Sequence, residues 1–242
     1  TYEVSRSLAA CEGALLLVDA VQGVEAQTVS NSYLAIENDL TIIPIINKVD
    51  LDSARPEEVT HQIMELIGCK ESEIISASAK SGVGIQDIFD AILDRISPPE
   101  DRSDRPLRAM IFDSMYDNYK GAIPYLRVFD GVIKLGDTAK FLTHDHQYDV
   151  TEVGHFVLKQ VPAKELRAGD VGYLLGSIRN FSHILPGDTI TTKVNPAMEA
   201  LPGYKEIKPM VFSGLYPSDA DDYDQLRTAL DKLKLNDASL VY

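Results

Sequence analysis

The sequence predicts an α/β unit, then a small β-barrel, then the opening of an α+β unit. Three observations predict this. Continuous apolar runs alternate with helical stripes over the first hundred residues, short turn-bounded strands fill the middle, and a strand–helix–strand pattern returns at the end. The 242 residues are 45% apolar and 25% charged, an ordinary globular composition. A disordered chain, a collagen-like repeat and a disulfide framework are excluded. The length suits two domains and a part of a third, at roughly 100–200 residues each.

Gly13–Val18 is a continuous apolar run, as in a parallel strand buried on both faces. Ala26, Val29, Tyr33 and Ile36 follow helical spacing. The run Thr41–Ile46 reads as a second strand, although Pro44 argues against a central position. Pro56 stands where a first helical residue belongs, with Glu57 and Glu58 at the positive end of the dipole. Val59, Ile63, Leu66 and Ile67 form that helix's stripe and Gly68 ends it. Glu73–Ala77 reads as a third strand. Ile85, Ile88, Phe89, Ile92, Leu93 and Ile96 form the strongest stripe, stopped by Pro98 and Pro99. Strand–helix units in series imply a parallel sheet.

After a polar linker the texture changes. Leu107–Ser114, Ala122–Phe129, Thr138–Leu142, Tyr148–Val153, Val171–Ser177 and Thr189–Thr191 read as strands. Three Gly-Asp turns lead into strands at Gly136, Gly169 and Gly187. Closely spaced strands without helices between them suggest a barrel. Lys208–Leu215 then reads as a strand, and Asp221 or Asp222 caps a helix bearing Tyr223, Leu226, Leu230 and Leu233. Ala238–Tyr242 reads as another strand. The expected boundaries are 1–100 for the α/β unit, 101–104 for the linker, 105–195 for the barrel and 205–242 for the α+β opening. The stretch starts at Thr1 inside a helical pattern and stops within a strand pattern, so it is expected to be part of a longer protein.

The net charge is −14. Residues 1–103 hold 7 basic and 18 acidic side chains, residues 104–195 hold 11 of each, and residues 196–242 hold 5 and 8. So acidic a body is not a simple nucleic-acid binder held by counterion release, and DNA is not expected as a partner. Any RNA contact belongs to the neutral middle. The longest apolar runs are far short of the ~20 residues of a membrane span. Two cysteines, Cys11 and Cys69, fit a reducing compartment.

The chemistry is carried by Asn47-Lys48-Val49-Asp50, directly after the second strand. It lies at the carboxyl end of a parallel strand, where open α/β sheets place ligands. One strand later comes Ser78-Ala79-Lys80, again leading into a helix. Side by side, the two loops make a purine pocket. Asp50 can accept from N1–H and the 2-amino group of guanine. Adenine has no donor at either place and would leave the carboxylate unpaired. Asn47 can bond the N7/O6 edge and tie the loops together, and the Ala79 N–H can donate to O6. The stems of Lys48 and Lys80 can cover the ring faces. The plainer alternative is a βα turn with a capping Asp.

Ala14–Ala20, Gly23 and Asn47–Asp50 resemble the GTP-binding domain of translational GTPases. Within them, Phe112–Gly121, Lys208–Pro217 and Leu235–Leu240 resemble the elongation factor 4 (LepA) branch. The resemblance covers essentially the whole chain. It implies half of a P-loop GTPase parallel sheet, a translation-factor β-barrel as second domain, and the start of a ferredoxin-like third domain. It implies a cytoplasmic, monomeric factor that hydrolyses GTP to GDP with Mg2+. Its partners would be the ribosome, both rRNA and ribosomal proteins, and the tRNA-bound elongation complex. Its action would be back-translocation or remodelling of elongating ribosomes, and there is room for peripheral attachment to the cytoplasmic face of the inner membrane. Asn47, Lys48, Val49, Asp50, Ser78, Ala79 and Lys80 would bind the nucleotide.

No G-x-x-x-x-G-K-[ST] loop occurs in the 242 residues. By the resemblance the phosphate loop, the magnesium-binding threonine and the water-positioning histidine precede Thr1, so no catalytic residue and no metal ligand is assigned. This stretch alone is expected to bind nucleotide weakly and to hydrolyse none. Its first strand is expected to present an open apolar edge. The rivals are an elongation factor G or BipA/TypA type GTPase, and a non-catalytic RNA- or protein-binding module.

Other features have plainer readings. His144-Asp145-His146 fits a polar hairpin loop rather than a metal site. Asp219, Asp221, Asp222 and Asp224 fit a helix start rather than a calcium loop. Asp19 is either a turn former or a pocket residue. Cys11 and Cys69 read as helix-packing residues. Tyr116, Tyr119 and Tyr125 read as core or cross-strand residues, with base stacking as the alternative.

Overall fold

The computed structural model describes residues 4, 7–117, 119–178, 183–202 and 212–236. They form two compact units that meet in sequence at Pro98 and Pro99.

The first unit runs β1 (Gly13–Asp19), α1 (Ala26–Glu37), β2 (Thr41–Asn47), α2 (Pro56–Ile67), β3 (Ile75–Ser76) and α3 (Ile85–Arg95). The strands pair in parallel in the order β1-β2-β3. Asp19 lies opposite Asn47, so the carboxyl ends of β1 and β2 are level. Val18, Ala20 and Ile46 meet Val59 and Ile63 of α2 on one face, while Ile43, Ile45 and Ala77 meet Ala91 of α3 on the other. Each isoleucine buried in this way stabilises the unit by about 1.5–3 kcal/mol. The two helix ends behave as expected: Pro56 opens α2 with Glu57 and Glu58 in its first turn, and Gly68 closes it at φ +70°.

Several expectations are corrected. Pro44 sits in the central strand. Residues of like parity in a parallel strand bond the same neighbour. Ile46 O accepts from Ala77 N, so Pro44 also faces the β3 side. Pairing with β3 begins only at Ile45, so the missing N–H leaves no gap in the ladder. The third strand is shorter than expected, because Glu71–Glu73 form a 3-10 turn and Arg95 Nη1 donates to Glu73 O at 2.9 Å. β1 is not buried on both faces: Leu15 and Leu17 are 42% and 56% exposed. The stripe of α3 lies over β2 and β3, which also leaves Phe89 and Leu93 exposed. In α1 the buried residues are Ser32 and Ala35, and Tyr33 and Ile36 are exposed.

The second unit contains β4 (Arg108–Asp117), β5 (Gly121–Asp130), β6 (Val132–Lys134), β7 (Thr138–Phe141), β8 (Gln147–Asp149), β9 (Glu152–Val157), β10 (Lys159–Ala163), β11 (Glu165–Arg167), β12 (Val171–Leu175), β13 (Thr189–Thr192) and α4 (Tyr223–Asn236). Eight strands form a sheet in the order β10-β9-β12-β5-β4-β13-β7-β8, and β11 pairs with β6. Ile111, Leu126, Ile133, Phe141, Val153, Leu166, Leu174 and Ile190, each from a different strand, share one interior core. Two register shifts in β4 mark bulges that bend it, as a curled sheet requires.

The closed barrel expected is not found among the described residues. The outer strands β8 and β10 pair only with β7 and β9, and the short β6 and β11 pair with each other instead. The expected strand Tyr148–Val153 is two strands, because Val150 N and O bond the Gly136-Asp137 turn rather than a ladder. The three Gly-Asp turns share one construction. Each glycine has φ near +90° (+89°, +93° and +88°). Each following Asp N–H donates to the carbonyl three residues back, at Lys134, Arg167 and Leu185. In the first two turns the Asp carboxylate also accepts from that same residue's N–H.

The segment expected as a linker is fastened to this unit. Gly131 N donates to Arg102 O, and the carboxylate of Asp130, 1% exposed, faces Arg102, Arg105 and Arg108. Of the expected strand Lys208–Leu215, residues 208–211 lie outside the described residues and 212–215 form no strand. Ala238–Tyr242 also lies outside them. The expected helix is present as α4, entered through a 3-10 turn, Ala220–Asp222.

Candidate functional site

The two loops singled out in the sequence leave the level carboxyl ends of β2 and β3. Lys48, at φ +66°, turns the chain sharply after Asn47. Val49 N then donates to Ala77 O at 3.3 Å, and the Val49 side chain packs against the Val18 core. Val49 therefore anchors its loop. That turn leaves Asn47, Lys48 and Asp50 at the rim.

Two side-chain bonds join the loops. Ala79 N donates to Oδ1 of Asn47 at 3.2 Å, and Ser78 Oγ donates to Oδ1 of Asp50 at 2.7 Å. Ser78 is fully buried, while Asp50 is exposed. A buried hydroxyl thus aims an exposed carboxylate. The same hydroxyl accepts from Ser81 N at 3.1 Å, which fixes its rotamer. The Ser78 hydroxyl holds the Asp50 carboxyl below the usual carboxylate range; partial burial opposes this and Lys80 adds to it. The Ala79 N–H, expected to serve O6 of a purine, is turned to Asn47 and makes the tie between loops.

Asp19, at the end of β1, forms a turn and also reaches the loop after β2. Its Oδ1 accepts from Val21 N at 2.8 Å, forming a turn, and its Oδ2 lies 2.6 Å from the Lys48 ammonium. The Lys48 hydrogen bond and the Val21 N–H keep the Asp19 carboxyl below its usual range, and Asp19 in turn raises the Lys48 ammonium above its own. Lys48 is therefore held across the rim instead of standing free in water. Lys80 is exposed on the opposite loop.

Gly84 is a site-building residue that the sequence reading passed over. It has φ +73° and stands before α3, and a Cβ there would lie 2.2 Å from Ser76 O. Only glycine lets the Ser78–Val83 loop close this tightly onto β3, where Ser78 N donates to Val83 O. The sequence signal was Gly82-x-Gly84 directly before a helical stripe.

The other candidates fall elsewhere. His144 and His146 gain a third histidine, His183, whose ring stacks on His146 at 3.5 Å between centroids. No group of His, Cys, Asp or Glu fit to hold a metal ion occurs among the described residues. Asp145 pairs with Lys140 at 2.7 Å. Cys11 is exposed, not packed, with Sγ donating to Ser7 O; Cys69 lies against the α2 core, where burial pushes its thiol up. Tyr125 packs between Phe112 and Phe156 as expected, but Tyr119 is 99% exposed.

The family described as "Elongation factor Tu GTP binding domain" matches residues 1–98, and "Elongation factor Tu domain 2" matches residues 121–191. Elongation factor 4 of Christiangramia forsetii is 56% identical over 242 residues, all of this chain and 40% of that protein. Elongation factor 4 of Amoebophilus asiaticus is 55% identical, over all of this chain and 41% of that protein. Elongation factor 4 of Bacillus subtilis is 53% identical, over all of this chain and 40% of that protein. The chain thus spans about two fifths of the length of the curated relatives it matches. All 242 residues of the chain are thus similar to elongation factor 4, over about two fifths of that protein, and its first unit spans the match to the GTP-binding domain.

Proposed function

We propose that this chain carries the guanine-reading part of a GTPase that hydrolyses GTP to GDP and phosphate and acts on the elongating ribosome, promoting back-translocation or remodelling. The observation that carries the reading is the pair of loop ties, Ser78 to Asp50 and Ala79 to Asn47. A carboxylate held by one hydrogen bond on Oδ1 keeps Oδ2 and the remaining lone pairs for two further donors. Guanine offers two adjacent donors at N1 and the 2-amino group, and adenine offers none at those two positions. Asn47 serves the opposite edge of the base. Lys48, tethered to Asp19, and Lys80 flank the ring plane.

In this reading residues 1–100 belong to the GTP-binding domain, 101–104 to a linker, 105–195 to the second domain and 205–242 to a third. The partners are the ribosome and its tRNA-bound elongation complex, and the setting is the cytoplasm. No helix among the described residues is long and apolar enough to cross a membrane. The family implies Mg2+ with the nucleotide. No cluster among the described residues fits a metal ion.

The test is equilibrium binding of GDP and ADP to the chain. GDP is expected to bind about tenfold or more tightly than ADP. Asp50→Asn is expected to weaken GDP and to gain xanthosine diphosphate, whose 2-oxo group accepts where guanine donates. Equal binding of GDP and ADP would overturn the reading in favour of a non-catalytic binding module.

A further inference from the structure

The loop after β1, residues 20–24, touches both the base site and α2. On the side of the site, Ala20 N donates to Asn47 O at 2.8 Å, and Asp19 at the root of the loop reaches Lys48. On the side of the helix, Gln62 Oε1 accepts from Val24 N at 2.8 Å, and Arg55 Nη2 donates to Val21 O at 2.8 Å. We propose that Gln62 is a positioning residue for the nucleotide: it fixes this loop, the loop aims the Asp19 carboxylate, and Asp19 holds Lys48 beside the base. The inference rests on the guanine reading and extends it to a helix that carries no part of either binding loop.

The bonds run without a break from α2 to Lys48. The amides of the loop aim the Asp19 carboxylate: Oδ1 accepts from Val21 N at 2.8 Å and from Gln22 N at 3.4 Å. That leaves Oδ2 for the Lys48 ammonium. Gly23 N donates to Asp19 O at 2.8 Å and closes the turn. The direction of the carboxylate therefore follows the loop, and the far end of the loop is fixed at Gln62. A carboxylate on a loosely held turn would sample several directions. One on an anchored turn keeps a single direction, so less ordering is left for the ligand to impose.

The backbone is shaped to admit Gln62. Gly23 has φ +74°, and a Cβ on it would stand 2.5 Å from Gln62 Oε1. Glycine there lets the side chain come this close. Gln62 is half-buried, and its Nε2 donates to Glu58 Oε1 at 3.4 Å, so both ends of the amide are engaged and its oxygen is turned to Val24. Val24 packs against the core of Val18, Val59 and Ile63, which makes the anchored end of the loop part of the unit's centre. Arg55 is exposed and also pairs with Glu58 at 2.9 Å, so it is the weaker of the two ties.

The test is made on the chain first without nucleotide and then with it. Gln62→Met keeps the length and helix preference of the side chain and removes the acceptor. In side-chain NMR of the free chain, the Lys48 Cε resonance of Gln62→Met is expected to move toward its position in Asp19→Asn. With GDP labelled by a fluorescent group on the ribose, Gln62→Met is expected to speed dissociation about two- to fivefold, the scale of one exposed ion pair, and to leave association unchanged. The double variant with Asp19→Asn is expected to release GDP no faster than the faster single variant, because both substitutions cut one linkage. Gln62→Glu keeps an acceptor oxygen and is expected to return the resonance and the rate close to those of the unsubstituted chain. A Lys48 resonance that stays in place in Gln62→Met overturns the inference. So do rates that multiply in the double variant, or a Gln62→Glu chain as fast as Gln62→Met. Equal release of GDP and ADP by the unsubstituted chain, or binding of neither, counts against the guanine reading, while the Lys48 resonance still decides whether Gln62 places Lys48.

Discussion

The ammonium of Lys48 lies 2.6 Å from Oδ2 of Asp19, so the loop that ends β1 holds the loop that ends β2. Parallel register makes this contact available, because Asp19 stands directly opposite Asn47. Asp19→Asn keeps an oxygen for the Val21 N–H and removes the charge. The Lys48 ammonium is expected to titrate at lower pH than in the unsubstituted chain, since the group that raised it is gone. A side-chain NMR titration of Lys48 checks this. GDP affinity is expected to fall about two- to fivefold, the scale of one exposed ion pair.

Ser78 controls the charge of Asp50. Its hydroxyl favours the ionised carboxylate, so the folded-state pKa lies below the ordinary value of 3.8. A depressed carboxylate stays charged until the pH falls through that lower value. In Ser78→Ala the carboxyl moves back up, and charge is lost sooner on acidification. GDP affinity measured from about pH 5 down to about pH 3 is expected to fall at higher pH in the variant than in the unsubstituted chain. Superimposable acid limbs would show that Ser78 does not govern Asp50.

Gly84 and Gly82 form a matched pair for testing the loop after β3. Both have positive φ, +73° and +82°, but only Gly84 has backbone against it, with Ser76 O 2.2 Å from a Cβ. Gly82→Ala meets nothing within 4 Å and is expected to cost about 1–2 kcal/mol of backbone strain. Gly84→Ala adds a clash with a paired strand and is expected to cost about 3 kcal/mol or more, or to prevent folding of the first unit. Urea unfolding followed by circular dichroism measures both.

This loop also shows how far the sequence was legible. Asn47–Asp50 and Ser78–Lys80 were readable because period and motif agree: apolar runs place both segments at strand ends. The Ser78–Asp50 and Ala79–Asn47 ties were not, because a bond between residues about thirty positions apart depends on loop closure that Gly84 permits. In the second unit, β6 and β11 were missed because three residues are too few for alternation to register. β10 was obscured by Pro162, which an outer strand tolerates. Closure of the barrel was inferred from strand spacing alone, and spacing does not say which strands pair. His183 stands 35 residues from Tyr148, which it contacts, so no local pattern could join it to His144 and His146.

Asp130 is buried at 1% exposure, with Arg108 Nε and Nη2 on Oδ2 and the longer Arg102 and Arg105 contacts, 3.8 and 3.9 Å, at Oδ1. The consequences of breaking this group are unequal. Arg108→Ala strips the buried carboxylate of both donors on Oδ2 and is expected to cost about 3–5 kcal/mol. Asp130→Asn removes the buried charge and leaves arginines that are 26–56% exposed and can be hydrated. It is expected to cost less, about 1–2 kcal/mol. Chemical denaturation of the two variants decides the order, and the reverse order would mean that the arginines, not Asp130, are the strained partners.

The stacked histidines are expected to make the second unit sensitive to mild acid. His183 is packed on His146, with the Tyr148 hydroxyl 2.5 Å from its Nδ1 and His144 beyond. Lys140 and Asp145, paired with each other at 2.7 Å, stand on the adjoining hairpin. Burial is the first cause that lowers the His183 pKa below 6.5, and repulsion from His146 and His144 adds to it. A histidine depressed in the folded state takes up its proton later than in the unfolded chain. As the pH falls below about 6.5, the unfolded chain binds that proton first, so stability drops, and it goes on dropping until the folded pKa is passed. The melting temperature of the second unit is therefore expected to fall over this window. His146→Gln removes a repelling neighbour, which moves the folded pKa of His183 back toward 6.5, and is expected to make the fall smaller and to end it at higher pH, with little change at pH 8. His183→Gln removes the group itself and is expected to flatten the profile. Thermal melts between about pH 8 and pH 5 measure all three, and a slope unchanged in both variants would place the acid sensitivity in other residues.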